Sequence, residues 1–131
     1  MCSSDLSFDM SISNYAELKI LDHLTGRAAW TAPSTVYVKL HTGDPGEDGT
    51  SNAAGNTSRQ SAAWSAASSG SIATSATISW TNVSTSETYT HWSAWDASTA
   101  GNCLWSGALS SSAAVTAGDT FQITSLTLSL D

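Results

Sequence analysis

Short runs of alternating apolar and polar residues, separated by turn residues, constrain this chain more than any other feature. Ser71 to Trp80 is the clearest run. Ile72, Ala76, Ile78 and Trp80 fall on one side, and Ser71, Ser75, Thr77 and Ser79 on the other. Successive side chains of a strand point to opposite faces, so this period describes a half-buried strand and excludes a helix. Thr35 to Thr42 repeats the pattern, setting Val36, Val38 and Leu40 against Tyr37, Lys39 and His41. Further strands are expected over Ser58 to Trp64, Thr88 to Asp96, Asn102 to Leu109, Ala113 to Thr116 and Thr120 to Leu130. The apolar positions of the last run change parity between Phe121 and Ile123 on one side and Leu126, Leu128 and Leu130 on the other, which predicts a β-bulge and a bend near Thr124-Ser125. In Thr88 to Asp96, aromatics point both ways, which places that strand centrally or covers it on both faces.

One segment has the other period. Asn14 is an expected cap with Glu17 three residues on, Leu18, Leu21 and Leu24 recur on one helical face, and Gly26 supplies the stop. The expected helix runs from about Tyr15 to Thr25, packed on an edge or reserved for a partner. The fold class is therefore mainly β, an antiparallel β-sandwich or distorted barrel of about seven strands with one N-terminal α-helix.

The length, 131 residues, suits one domain able to bury a core without disulfides. Met1 to Asp9 shows no periodicity, and Cys2-Ser3-Ser4-Asp5-Leu6 resembles the translation of a sequencing-adaptor end. The expectation is a non-native or disordered tail over residues 1–9 and a single β-rich domain over 10–131. Cys2 and Cys103 have no metal-type or redox-type neighbours, and Cys103 is expected to act as a small hydrophobe in a strand. Four basic and eleven acidic residues leave a net charge of −7, which opposes binding to nucleic acid or to anionic membranes. No apolar stretch reaches membrane-spanning length, and no secretory leader pattern opens the chain.

Catalytic patterns are missing. Asp22 and His23 are adjacent on the helix and diverge by about 100°, so His23 is expected to serve the helix end or packing. His91 and Asp96 stand five apart on one strand, hence on opposite faces, and no Gly-x-Ser-x-Gly elbow occurs. The chain is expected not to be an enzyme and to need no cofactor. The one metal candidate is calcium at Asp44, Glu47 and Asp48, a cluster of hard oxygens in a loop whose Asp-Pro-Gly and Asp-Gly steps equally describe a solvated turn. Arg59, the last Lys or Arg of the chain, is expected to ion-pair and fix the long loop to the sheet. Asn56-Thr57-Ser58 and Asn82-Val83-Ser84 are read as turns rather than glycosylation sites. Of the tryptophans, Trp92 and Trp95 face opposite sides of a strand, which predicts one of them outward, against a neighbouring subunit or a glycan.

Taken together, Ser13-Asn14-Tyr15-Ala16-Glu17-Leu18-Lys19-Ile20-Leu21-Asp22-His23-Leu24-Thr25-Gly26, Val36-Tyr37-Val38-Lys39-Leu40-His41-Thr42-Gly43-Asp44-Pro45-Gly46, Thr90-His91-Trp92-Ser93-Ala94-Trp95-Asp96-Ala97 and Ala117-Gly118-Asp119-Thr120 form a recognisable set. From Met10 to Asp131 the chain resembles a family of small tailed-phage and prophage virion proteins often labelled tail fibre or minor tail proteins. The resemblance implies a structural protein on the surface of a bacteriophage particle, tail-associated and engaged in host attachment. Capsid decoration is an alternative, and a carbohydrate-binding β-sandwich module is an alternative of another class. The expected partners are other virion proteins in a homo-oligomer, with a host surface glycan as a further one. The expected interface residues are Tyr15 and Lys19 on the helix, Asp44 and Asp48 in the loop, and Trp92 and Trp95.

Overall fold

A computed structural model describes residues 11–130; the expectations for residues 1–9 lie outside that range. In chain order the elements are β1 (Ser11–Ile12), α1 (Asn14–Leu24), β2 (Val36–His41), β3 (Gln60–Ala62), β4 (Ser71–Ala73), β5 (Ile78–Trp80), β6 (Glu87–Trp95), β7 (Cys103–Val115), β8 (Phe121–Ile123) and β9 (Thr127–Ser129). All strand pairs are antiparallel. Five strands form the main sheet in the order β1-β7-β6-β2-β3, while β4 pairs with β9 and β5 with β8 to make a second layer. The result is the expected mainly β, sandwich-like fold with one helix, and β6 is central as expected.

Two strands differ from expectation in extent. The run Ser71 to Trp80 is broken into β4 and β5, because its pairing partner breaks at the same level: Thr74 donates its N–H to Leu126 O and accepts the Leu126 N–H on its hydroxyl. The segment joining β4 to β5 is one residue longer than the one joining β8 to β9. That mismatch is a bulge, and it bends both strands together at the level expected for Thr124-Ser125. It also explains the parity change, since Ile123 and Leu126 are both buried. Conversely, the two expected strands Asn102–Leu109 and Ala113–Thr116 are one strand, β7. Thr90 on β6 stands opposite Leu109 to Ser112, so β7 arches away and then rejoins its partner.

The core lies between the layers. Val38, Leu40, Trp92 and Ala94 from the main sheet meet Ile78, Trp80, Ile123 and Leu126 from the second layer, with Tyr89 beyond the β7 arch. Each large side chain buried this way contributes about 1.5–3 kcal/mol. Trp80 also donates its indole N–H to Ser58 O at 3.0 Å. Phe121 packs edge-on to Tyr89 with ring centroids 5.1 Å apart.

The other face of the main sheet carries His41, Ser93, Trp95 and Cys103, and residues 43–57 fold over it. His41 is fully buried. Its Nδ1–H donates to Ser51 O at 2.9 Å, because a carbonyl can only accept. Trp95 Nε1–H donates to Ser93 Oγ, which leaves the Ser93 proton for His41 Nε2, both bonds being 2.7 Å. Each polar atom in this relay is satisfied when His41 is neutral, and burial pushes its pKa down accordingly.

The helix begins one residue earlier than expected. Ser13, not Asn14, is the cap: its backbone is extended, and its Oγ accepts the Ala16 N–H at 3.1 Å. The same hydroxyl donates to Cys103 O, and Ser13 N–H donates to Leu104 O. Serine wins here because the pairing of β1 with β7 delivers it to that position. One residue thus caps α1 and ties it to the sheet.

Candidate functional site

With the helix base fixed on β7, its remaining faces are presented outward, and they differ in chemistry. Of α1, only Ala16 is buried. Leu18, Leu21 and Leu24 are 66%, 58% and 75% exposed. The sequence expectation put these leucines on one helical face; the structure leaves that face open to solvent. Exposing three leucines in a row costs solubility without helping the fold, which marks a contact surface.

The opposite flank carries Tyr15 and Lys19. Together with Ala29, Trp30, Thr31, Pro33 and Asp96 they line a cleft of ≈ 260 Å³. Tyr15 and Trp30 meet edge-to-face, centroids 6.2 Å apart and planes at 77°, so two aromatic walls form a corner. The Lys19 ammonium lies 5.7 Å from the Tyr15 ring centroid. The segment bearing Trp30 is pinned to the helix end, where Arg27 and Ala28 N–H both donate to Asp22 O and the Trp30 N–H donates to His23 Nδ1. His23 therefore serves the helix end, as expected. Asp96 arrives from the end of β6, with its Oδ1 accepting the Asn102 N–H and its Oδ2 accepting from Asn102 Nδ2.

The other expected site residues take different places. Trp92 and Trp95 are both buried, at 2% and 6% exposure, so the expectation that one faces outward is corrected. The strand does send them to opposite faces, but the second layer covers one and the 43–57 loop covers the other. Asp44, Glu47 and Asp48 do not converge. Asp44 Oδ1 accepts the Gly46 N–H, Glu47 Oε2 accepts from Ser11 Oγ, and Asp48 Oδ1 accepts from the Thr50 N–H and hydroxyl. Those bonds to Thr50 hold the Asp48 carboxyl below its usual range. Among the described residues no group of three His, Cys, Asp or Glu side chains is placed to hold a metal ion. The calcium expectation thus meets a turn whose carboxylates are occupied by its own backbone and hydroxyls.

Among the described residues Arg59 has no ion-pair partner. Its Nη1 donates to Ala97 O and Ala100 O, each at 2.8 Å, and its guanidinium lies 4.1 Å from the Trp95 ring centroid. It fixes the 97–100 turn rather than the long loop, because carbonyls and an indole face, not a carboxylate, surround it. Cys103 is buried in β7 as expected, and that burial raises its thiol pKa to about 11. Trp30 and Asp96 were not among the expected interface residues. The only local signal for Trp30 was its position outside any alternating run, where no core demands an indole.

The family model for podophage GP4 fiber I protein gp80 matches residues 11–131. The chain belongs to this family. Comparison with curated proteins finds no match. Membership in the gp80 fibre family makes the chain a phage fibre protein with a tail-associated structural role, in association with other virion proteins. The open leucine face and the aromatic cleft are thus surfaces of a phage fibre protein. No helix among the described residues is long and apolar enough to cross a membrane.

Proposed function

We propose that this gp80-family protein is a surface-exposed subunit of a tail fibre, built into the particle as a homo-oligomer through the leucine face of α1, and that it carries out no catalysis. The observation that carries the proposal is the exposed row of Leu18, Leu21 and Leu24 on the only helix among the described residues. A second copy of this chain is the occupant that its charges favour. Glu17 lies near one end of the row and Arg27 beyond the other. Two helices packed antiparallel would therefore set unlike charges against each other at both ends. Three leucines bury far less than the roughly 1,200 Å² of a stable pair. The contact therefore belongs to an assembly in which each subunit touches several neighbours. The absence of catalysis is supported by the histidines. His23 hydrogen-bonds to Trp30 N–H, His41 to Ser51 O and Ser93 Oγ, and His91, the cross-strand neighbour of His41, to Thr90 Oγ1, so each is engaged by the fold.

The test is assembly. A Leu21→Ser/Leu24→Ser chain is expected to unfold within about 0.5 kcal/mol of the parent, since both side chains are exposed, yet to be missing from purified particles. Incorporation at the parent copy number would overturn the leucine contact. Density for the subunit on the capsid shell, in a particle reconstruction, would overturn the tail location.

A further inference from the structure

The cleft between α1 and the end of β6 holds two charged groups with no ion-pair partner among the described residues. Among the described residues the only ion pair is Arg27 with Asp22. Within that set, Lys19 and Asp96 line one cleft without pairing with each other or with another charge. Among the described residues the Trp30 indole has no hydrogen-bond partner, and it is only partly covered. Tyr15 forms the second aromatic wall. An exposed cationic donor, an anchored carboxylate acceptor and an indole N–H thus surround an apolar corner. This corner is already rigid, because hydrogen bonds hold both the Trp30 segment and Asp96 in place.

We propose that this cleft binds a neutral pyranose unit of a glycan, with the C–H face of the ring against Trp30 and Tyr15 and its hydroxyls shared between Asp96 and Lys19. A sugar ring has an apolar face and a rim of groups that both donate and accept. That combination matches an aromatic corner flanked by one acceptor and one donor. At ≈ 260 Å³ the cleft admits one ring, not an oligosaccharide. The net charge of −7 disfavours acidic sugars. A zwitterionic amino acid would also find Lys19 and Asp96, but ion pairing to an exposed lysine yields little in water, and such a ligand offers no flat C–H face to the indole. The site does not depend on the subunit contact proposed above, because Tyr15 and Lys19 lie on a different flank of α1 from the leucines.

The experiment is a nitrogen-15 NMR titration of the full chain with methyl α-D-glucopyranoside, methyl β-D-galactopyranoside and methyl α-D-mannopyranoside, each to about 0.1 M, the range of millimolar binding. Sodium D-glucuronate and L-alanine serve as acidic and zwitterionic probes. The expected result is a saturable shift of the Trp30 indole N–H with at least one neutral glycoside and weaker shifts with the other two probes. Trp30→Ala is expected to weaken binding about tenfold or more. Lys19→Ala, which alters only an exposed side chain, is expected to weaken it about threefold with an unchanged melting temperature. Three results would overturn the proposal: no saturable shift at Trp30 with any neutral glycoside, equal or tighter binding of L-alanine, or full-strength binding by Lys19→Ala together with Trp30→Ala.

Discussion

Gly49 sets the 43–57 loop against Trp95 and Cys103 of the main sheet, and Gly49→Ala tests whether that loop is a packed part of the fold. Its φ is +74°, and a Cβ at this position stands 2.6 Å from Cys103 Sγ and 2.9 Å from Trp95 Cζ2. Two costs add. A non-glycine residue in left-handed backbone costs about 1–2 kcal/mol, and overpacking a buried contact costs about 1–3 kcal/mol. A stiffer unfolded chain offsets about 0.5–1 kcal/mol, leaving a net loss of about 2–4 kcal/mol. Gly26 is the internal comparison, with φ +78° and nothing within 4 Å of its Cβ. Gly26→Ala meets only the backbone cost and loses about 1 kcal/mol. At about 3–5 °C per kcal/mol for a chain of this size, Gly49→Ala lowers the melting temperature by about 10 °C and Gly26→Ala by less than about 5 °C. Calorimetry measures both. A second readout separates a lifted loop from global weakening: in a Cys2→Ser background, Cys103 should react faster with a thiol reagent in Gly49→Ala than in Gly26→Ala. Equal losses of stability and equal thiol rates in the two variants would refute the packing of this loop on Trp95 and Cys103.

Arg59→Lys should destabilise by roughly 1–2 kcal/mol, read as a shifted urea midpoint at constant m, because an ammonium cannot stack flat on Trp95 while donating to both Ala97 O and Ala100 O; no shift would mean the turn is held without it. His41 gives a pH dependence of defined sign. Burial lowers its folded-state pKa below the unfolded value near 6.5, so its contribution is fully present above pH ~6.5 and is lost as pH falls through the folded pKa. Stability measured by urea should therefore drop on acidification below that point, and NMR should show the His41 ring still neutral where an unfolded histidine is half-protonated.

The local period of the chain fixes which way side chains point, and that much was legible from sequence. It predicted strands at Thr35–Thr42 and Thr88–Asp96, a helix with Leu18, Leu21 and Leu24 in register, and the bend near Thr124. The motif set from Ser13 to Thr120 marked the phage family. What alternation does not encode is how far a pairing persists or what lies across from it. Ser71 to Trp80 alternates except at Ala73 and Thr74, and it breaks there as β8 and β9 break opposite it. Trp92 and Trp95 do point to opposite faces, but whether a face meets solvent depends on the second layer and on a loop some forty residues upstream. Arg59 met carbonyls and an indole rather than a carboxylate for the same reason. The cleft is the extreme case. Tyr15, Trp30 and Asp96 come from a helix, a loop and a strand end, and of the three only Tyr15 was expected at an interface. Only the docking of α1 through Ser13 onto β7 brings them together. Sequence thus determined the elements and their faces, because those depend on neighbours along the chain. Tertiary structure alone decided what each face meets, because burial depends on segments far apart in sequence.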